Sequence, residues 1–246
     1  MATSTTAPCA LVTGASRRIG RAIALSLADA GYDIGVHYFR SHNDALALVA
    51  EIEARGRRAV AVPANLADAG EVMGLIPQMA ARLCAPVCLI NNASEFRHDT
   101  IATMTPESWA VHQDTNLRAP ILLSQALFLN LPEGATGNVI NIIDQRVLKL
   151  TPDFFSYTIS KAGLWTATKT LAQALCPRVR VNAVGPGPVL ASVHQSAAEF
   201  SAEQASTLLG RGSTPDEIAA AVRFILDAPA ITGQMIVLDG GQHLMF

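Results

Sequence analysis

Tyr157 and Lys161 stand four residues apart in "FSYTISK", and Asp144 precedes the tyrosine by thirteen residues. Four residues is about one helical turn, so a helix entered near Ser156 puts the phenol and the ammonium on one face. A lysine beside a tyrosine is an arrangement for acid–base chemistry. Free tyrosine titrates near ~10, and bringing it close to neutral takes roughly 3 units, about 4 kcal/mol, of preference for the phenolate. The aspartate is the odd member. An ionised carboxylate offers acceptors only, so beside a ketone oxygen gaining negative charge Asp144 would repel the transition state. It suits a substrate that carries N–H groups or gains a proton on nitrogen.

Those residues need a scaffold, and the chain alternates along its length. Short apolar runs ("CALVTG", "YDIGVHYF", "RAVAVPA", "PVCLINNA", "GNVINIID", "VRVNAVGPG", "QMIVLDGG") read as strands. Between them lie helix-period segments such as "RIGRAIALSLADAG", "NDALALVAEIEARG" with Asn43 as its cap, "DAGEVMGLIPQMAARLC" with an expected kink at Pro77, and "TPESWAVHQDTNLRAPILLSQALFLN" read as one helix. Continuous apolar strands separated by helices imply a parallel sheet covered on both faces. The expectation is an α/β fold: one doubly wound Rossmann-like domain over residues 1–246 with a mostly parallel seven-stranded sheet.

Half of the residues are apolar and 15% charged, with a formal net charge of -2. No Lys/Arg block points to nucleic acid or a membrane surface. The start "MATSTTAPC" lacks a signal peptide's apolar segment, and Cys9, Cys84, Cys88 and Cys176 show no metal spacing and lie in or beside apolar runs. The expectation is a soluble cytoplasmic protein with reduced core thiols and no metal.

In such sheets ligands bind outside the carboxyl ends of the strands. "TGASRRIG", residues 13–20, runs from the first strand into a helix N-terminus, where free N–H groups favour a pyrophosphate. Gly14 and Gly20 serve the turn and the close approach, Ile19 beside Gly20 is a further candidate for the cofactor site, and Arg18 stands where a glycine is common. The second strand ends His37, Tyr38, Phe39, Arg40, Ser41, without an acidic residue for a ribose 2′-hydroxyl. Arg40 with Ser41, backed by Arg17 or Arg18, fits a 2′-phosphate, which selects NADPH.

Together "TGASRRIG", "NNAS" at 91–94, "YTISK" at 157–161, "VNAVGPG" at 181–187 and "LDGG" at 238–241 resemble the short-chain dehydrogenase/reductase family, in the family's order and over essentially the whole chain. The resemblance implies Tyr157 as proton donor, Lys161 as the cation that holds the nicotinamide ribose and lowers the tyrosine pKa, and Asn116 as support for a proton-relay water. It also implies Asn91, Ala93, Ser94, Pro186 and Gly187 near the cofactor. Asn65 replaces an aspartate usual near the adenine, while Leu66 is retained. Where most members carry a serine, this chain has Asp144. That exchange, with Arg18, Ser94 and "HYFRS", is similar to the pteridine reductases and related dihydromonapterin/dihydrofolate reductases. In that subgroup an aromatic ring at the position of Phe96 stacks on the pterin. Phe154 reads equally as a pocket wall or as core, and the substrate loop, roughly 188–213, lacks the family's threonine after its PG turn.

The reading is an NADPH-dependent reductase of a pterin or dihydrofolate-type C=N bond. Its rivals are a 3-oxoacyl-thioester or other carbonyl reductase, with Asp144 merely tolerated, and a non-catalytic dinucleotide sensor, which has no need of a proton relay. The family further implies a homotetramer formed through the helices beginning near Pro106 and Phe154. The tail "HLMF" either reaches a neighbouring subunit or packs on its own chain.

Overall fold

Seven strands form one sheet in the order β3-β2-β1-β4-β5-β6-β7, and every pairing is parallel. The strands are β1 (Cys9–Val12), β2 (Asp33–Tyr38), β3 (Ala59–Pro63), β4 (Cys88–Asn91), β5 (Gly137–Ile142), β6 (Val179–Pro186) and β7 (Met235–Leu238). The computed structural model describes residues 7–192 and 195–245. The first six residues, positions 193 and 194 of the expected substrate loop and Phe246 of the tail lie outside the described residues.

Each of β1, β2 and β4 is buried along its whole length, which is why these segments are unbroken apolar runs rather than alternating ones. Helices α1 (Arg18–Asp29) and α2 (His42–Ala54) cover one face, joined by α8 (Pro215–Asp227), and pack Ile23, Leu27, Leu48, Ile52, Val222 and Ile225 against it. On the other face α3 (Ala69–Arg82) and α5 (Ala119–Asn130) pack Leu75, Ile76, Met79, Leu123 and Leu127. The long α6 (Phe155–Leu175) carries Tyr157 and Lys161, and α4 (Pro106–Gln113) and α7 (Ala197–Ala205) complete the set. Successive strands run outward in opposite directions from β1 and β4, so a crevice opens above the carboxyl ends of that pair.

Several local expectations need correction. Helix α2 starts at His42 after Ser41, so Asn43 lies inside it and is not its cap. The segment expected as one helix from Pro106 to Asn130 is divided by a π turn at Asp114–Arg118 that carries Asn116. Such insertions concentrate at functional sites. Cys9 and Cys84, expected as thiols, are joined as a disulfide with Cα atoms 6.2 Å apart, because β1 and the end of α3 meet there. Of the two free cysteines only Cys88 is buried, its thiol pushed up to about 12 by burial, and Cys176 is exposed. Asp33 lies within ligand distance of the paired sulfurs, but its carboxylate already accepts from Arg57 and Arg58. No helix among the described residues is long and apolar enough to cross a membrane.

Candidate active site

The phosphate end is assembled by backbone geometry. Gly14 has φ +60, and a Cβ on Gly20 would strike the Gly14 carbonyl and the Asn92 amide, so both positions need glycine. Thr13, fully buried, accepts from the backbone N–H of Asn92 (2.9 Å) and Ala93 (3.0 Å). Asn92 donates to the carbonyls of Thr13 (2.9 Å) and Gly14 (3.2 Å), locking the first loop to the end of β4. Asn92 was not among the expected residues. Asn91 was, yet its side chain points into the sheet and donates to Asn141 at 2.8 Å. The alternation of side chains along a strand decides between such neighbours, and the exact end of β4 is invisible in the sequence.

Histidine 37 also turns away from a ligand. It is buried, accepts from the Gly14 N–H at Nδ1 (3.0 Å) and donates from Nε2 to the Ala64 carbonyl (3.1 Å). Burial holds its pKa down at about 4, so the ring is a neutral strut beneath the phosphate loop. Tyr38 is likewise buried and its hydroxyl meets His42. Leu66 packs in the core, and Asn65 closes a turn by accepting from the Ala67 N–H. Arg17 is paired with Asp44 and does not face the crevice. Arg40 is different. It is exposed, lies over the Phe39 ring at 4.9 Å, and has no carboxylate partner among the described residues. Beside it the hydroxyls of Ser41 and Ser16 are 2.6 Å apart, and Ser16 is a further residue that the sequence reading missed. A glycine cradle, a helix N-terminus and an unpaired guanidinium beside two hydroxyls fit a dinucleotide with a 2′-phosphate.

Arg18 bridges the two ends. Its backbone is left-handed (φ 54), and its guanidinium donates to the carbonyls of Leu190 (3.0 Å) and Ala191 (2.9 Å). It thereby fastens the loop after β6 to the phosphate loop. Together they enclose a cavity of about 740 Å³ that reaches Ile19, Ser94, Phe96, Asp144, Tyr157 and Lys161, with Pro186 and Gly187 on its wall.

At the chemical end the Tyr157 hydroxyl donates to Asp144 Oδ2 at 2.8 Å, while Asp144 Oδ1 accepts from the Arg146 N–H at 2.8 Å. Lys161 donates to the Ile142 carbonyl at 2.9 Å. All three lie in a buried environment, and each pKa follows from that. Burial raises Asp144 against the hydrogen bond from Arg146. Burial lowers Lys161 to about 8, opposed by the Asp144 charge. Burial and the Asp144 charge hold Tyr157 well above its ordinary value. In the protein alone burial comes first and the Asp144 charge second in holding the phenol up, with the Arg146 guanidinium opposing them. The phenol is a firmly protonated donor.

Asn116 is fully buried on the π turn. Its Nδ2 donates to the Glu95 carbonyl (2.9 Å) and Ser160 (3.1 Å), and its Oδ1 accepts from the Glu95 N–H (2.9 Å). The side chain thus ties the exit of β4 to the catalytic helix. Phe96 meets Tyr157 edge-on with centroids 4.7 Å apart and stacks on Phe154 at 4.4 Å with an 8° tilt. Phe154, left-handed at φ 55, lines the same cavity and is a pocket wall.

Beneath these rings lies a buried network absent from the expectations. Ser156 donates to Asp99 through both its hydroxyl and its backbone N–H, His112 Nδ1 sits 2.6 Å from the Ser156 hydroxyl, and His112 Nε2 accepts from the Arg97 N–H at 3.1 Å. Burial lowers the His112 pKa and keeps the ring neutral. The chain Arg97–His112–Ser156–Asp99 fixes the Phe96 segment against the start of α6. Ordinary residue types more than ten positions apart gave no local signal for it.

A family model described as enoyl-(acyl carrier protein) reductase matches residues 14–243. Among curated proteins, a 3-oxoacyl-[acyl-carrier-protein] reductase from Synechocystis is 38% identical, covering 97% of this chain and 98% of the relative. Among solved structures, FolM alternative dihydrofolate reductase 1 from Brucella suis, in complex with NADP, superimposes with a TM-score of 0.94 at 43% identity over 99% of this chain and 98% of that one. The corresponding Brucella canis protein, also complexed with NADP, gives 0.92 at 42% identity over 97% and 95%. With its five motifs on one parallel sheet and these likenesses over nearly its full length, the chain belongs to the short-chain dehydrogenase/reductase family.

Proposed function

We propose that the protein is an NADPH-dependent reductase of a pterin or dihydrofolate-type ring, adding hydride to a carbon of a C=N bond and a proton to its nitrogen. The observation that carries this reading is the carboxylate of Asp144 at 2.8 Å from the Tyr157 hydroxyl. A carbonyl reductase needs a hydroxyl donor at this place to bind the developing oxyanion. A carboxylate there favours a nitrogen heterocycle instead, whose amino and ring N–H groups it accepts.

Bound NADPH would supply the hydride. The Gly14–Gly20 turn would hold its pyrophosphate, and Arg40 with Ser41 its 2′-phosphate. Lys161, which lines the cavity, would hold the nicotinamide ribose. Tyr157 gives its proton to the ring nitrogen as the carbon accepts hydride, and Asp144 orients the phenol and binds the neighbouring N–H groups. Phe96 and Phe154 provide flat apolar walls for the ring, and such stacking contributes on the order of 1 kcal/mol beyond buried area. The Brucella likenesses support this choice.

The second reading, a 3-oxoacyl-thioester reductase, is favoured by the Synechocystis relative. Against it stands the missing hydroxyl at position 144. A homotetramer formed through α4 and α6 belongs to the proposal and is supported by Trp109 and Ile159, which stay exposed on those helices. NADPH consumption by the purified protein tests the function. Turnover with a 7,8-dihydropterin and none with an acetoacetyl thioester is expected; the opposite pattern would transfer the assignment to the second reading.

A further inference from the structure

Phe96 lies in a stretch, residues 92–100, that belongs to no helix or strand, so its backbone groups depend largely on side chains for partners. The residues on its two sides are clamped by different elements. On one side Asn116, on the π turn, accepts from the Glu95 N–H (2.9 Å) and donates to the Glu95 carbonyl (2.9 Å). On the other, the Arg97 N–H donates to Nε2 of His112 on α4 (3.1 Å). We propose that His112 is a positioning residue that holds Phe96 against Tyr157 only while its ring is neutral, so that a proton at Nε2 releases this wall and weakens binding of the flat ring. The inference rests on the wall role given to Phe96 above.

The hydrogen bonds fix the tautomer. A backbone N–H can only donate, so Nε2 presents a lone pair and the proton of the neutral ring sits on Nδ1. Nδ1–H then donates to the Ser156 hydroxyl at 2.6 Å, and that hydroxyl donates to the Asp99 carboxylate. Asp99 also accepts from the Ser156 N–H (3.0 Å) and the Ser108 hydroxyl (3.1 Å). An ionised carboxylate accepts only, so this order of donors cannot reverse. His112, Ser156 and Asp99 are all buried.

A second proton on the ring has one place to go. At Nε2 it would meet the Arg97 N–H, two donors facing each other with no acceptor between them. The bond to Arg97 is then lost, and the edge-on contact of Phe96 with Tyr157 at 4.7 Å rests on the Asn116 clamp alone. Burial opposes this proton, and so do Arg97 and Lys161, whereas Asp99 and Glu95 favour it. Tyr157, with its ring centroid 6.0 Å away, keeps its own proton and adds no charge. The net direction is downward from 6.5, which places the release in acid solution. His98, in the same stretch, is exposed and lies 3.6 Å from Asp153.

KM for a 7,8-dihydropterin and Kd for NADPH would be measured from about pH 5 to about pH 8 in the wild type, His112→Gln and His112→Phe. The Arg97 amide resonance would be followed by NMR over the same range. In the wild type KM should rise about three- to tenfold toward the acid end, the scale of one lost hydrogen bond. Glutamine offers a carbonyl oxygen where Nε2 stood and takes up no proton, so His112→Gln should keep the neutral-pH KM and lose most of the acid rise. His112→Phe keeps a ring without an acceptor, so its KM should be raised at every pH while NADPH binds as in the wild type. The Arg97 amide should shift with pH in the wild type and stay still in His112→Gln. His98 and the substrate are common to all three proteins, so their own titration cancels in the comparison. An acid rise that persists undiminished in His112→Gln, or an Arg97 amide indifferent to pH in the wild type, would overturn the latch while leaving the ring reading intact. NADPH affinity falling together with KM in His112→Phe would also overturn it, making His112 a general support of the fold. If the wild type turns over no pteridine at any pH, the proposed function fails, and the amide resonance still decides the latch.

Discussion

Residues 13–20 and residues 142–161 both border the crevice above β1, β4 and β5, but they use their polar groups in opposite ways. In the first segment Thr13, Gly14 and the neighbouring Asn92 and His37 satisfy one another through short hydrogen bonds, and His37 is held neutral by burial. In the second, the Asp144 carboxylate and the Tyr157 phenol are hydrogen-bonded, the Lys161 ammonium lies 5.7 Å from the phenol ring, and all three are displaced from their ordinary pKa values. The phosphate end is a finished piece of scaffold that offers N–H groups and the Arg40 guanidinium, which has no carboxylate partner among the described residues. The chemical end stores the cost of three buried titratable groups, which is the usual mark of a site that moves a proton.

That contrast can be broken first at Tyr157. Tyr157→Phe keeps the ring against Phe96 and removes only the donor, so kcat should fall by about 10²–10⁴, while NADPH affinity, measured by fluorescence titration, stays within about twofold. Comparable losses in both would mean that the tyrosine is part of the scaffold after all.

The reverse experiment strikes the scaffold. Because the folded pKa of His37, about 4, lies below the ordinary histidine value of 6.5, the unfolded chain binds the proton first as pH falls. The stability contributed by neutral His37 is complete above pH 6.5 and is lost progressively toward pH 4, by up to about 3 kcal/mol. Urea unfolding across this range should show that loss, and His37→Gln should flatten it. An unchanged slope in the variant would show that other groups carry the dependence.

A smaller effect is expected at Arg40, which has no carboxylate partner among the described residues. Arg40→Ala should weaken NADPH about ten- to a hundredfold, the scale of a lost charge-assisted contact, and leave NADH almost unchanged. An equal loss for both cofactors would remove Arg40 from 2′-phosphate recognition.

How far the sequence carried differs between the two regions as well. The parallel seven-stranded sheet and the two-faced core followed from continuous apolar runs, and the Tyr157–Lys161 pair followed from helical spacing, because both rest on local periodicity. Gly14 and Gly20 were readable for the same reason. Asn91 and Asn92 could not be told apart, since one position along a strand decides which side chain enters the sheet. The π turn at Asp114–Arg118 left no compositional trace, and the Asp99–Ser156–His112 network joins three distant segments by tertiary contact alone. The depth at which Tyr157 lies, the first cause of its raised pKa, is a property of the fold that helical spacing does not report.

Asp144 decides the account, and Asp144→Ser tests it most directly. The measurement is kcat/KM for a 7,8-dihydropterin and for a simple ketone, each across pH, in the wild type and the variant. Pterin reduction should fall by at least tenfold, the value of a lost hydrogen bond to a charged group, while ketone reduction holds steady or rises because the hydroxyl donor is restored. The Asp144 charge helps to hold the Tyr157 pKa up, so the basic limb of the variant's profile should move to lower pH. Pterin turnover that survives the substitution, or a parallel fall with both substrates, would contradict the claim that this carboxylate reads a nitrogen heterocycle.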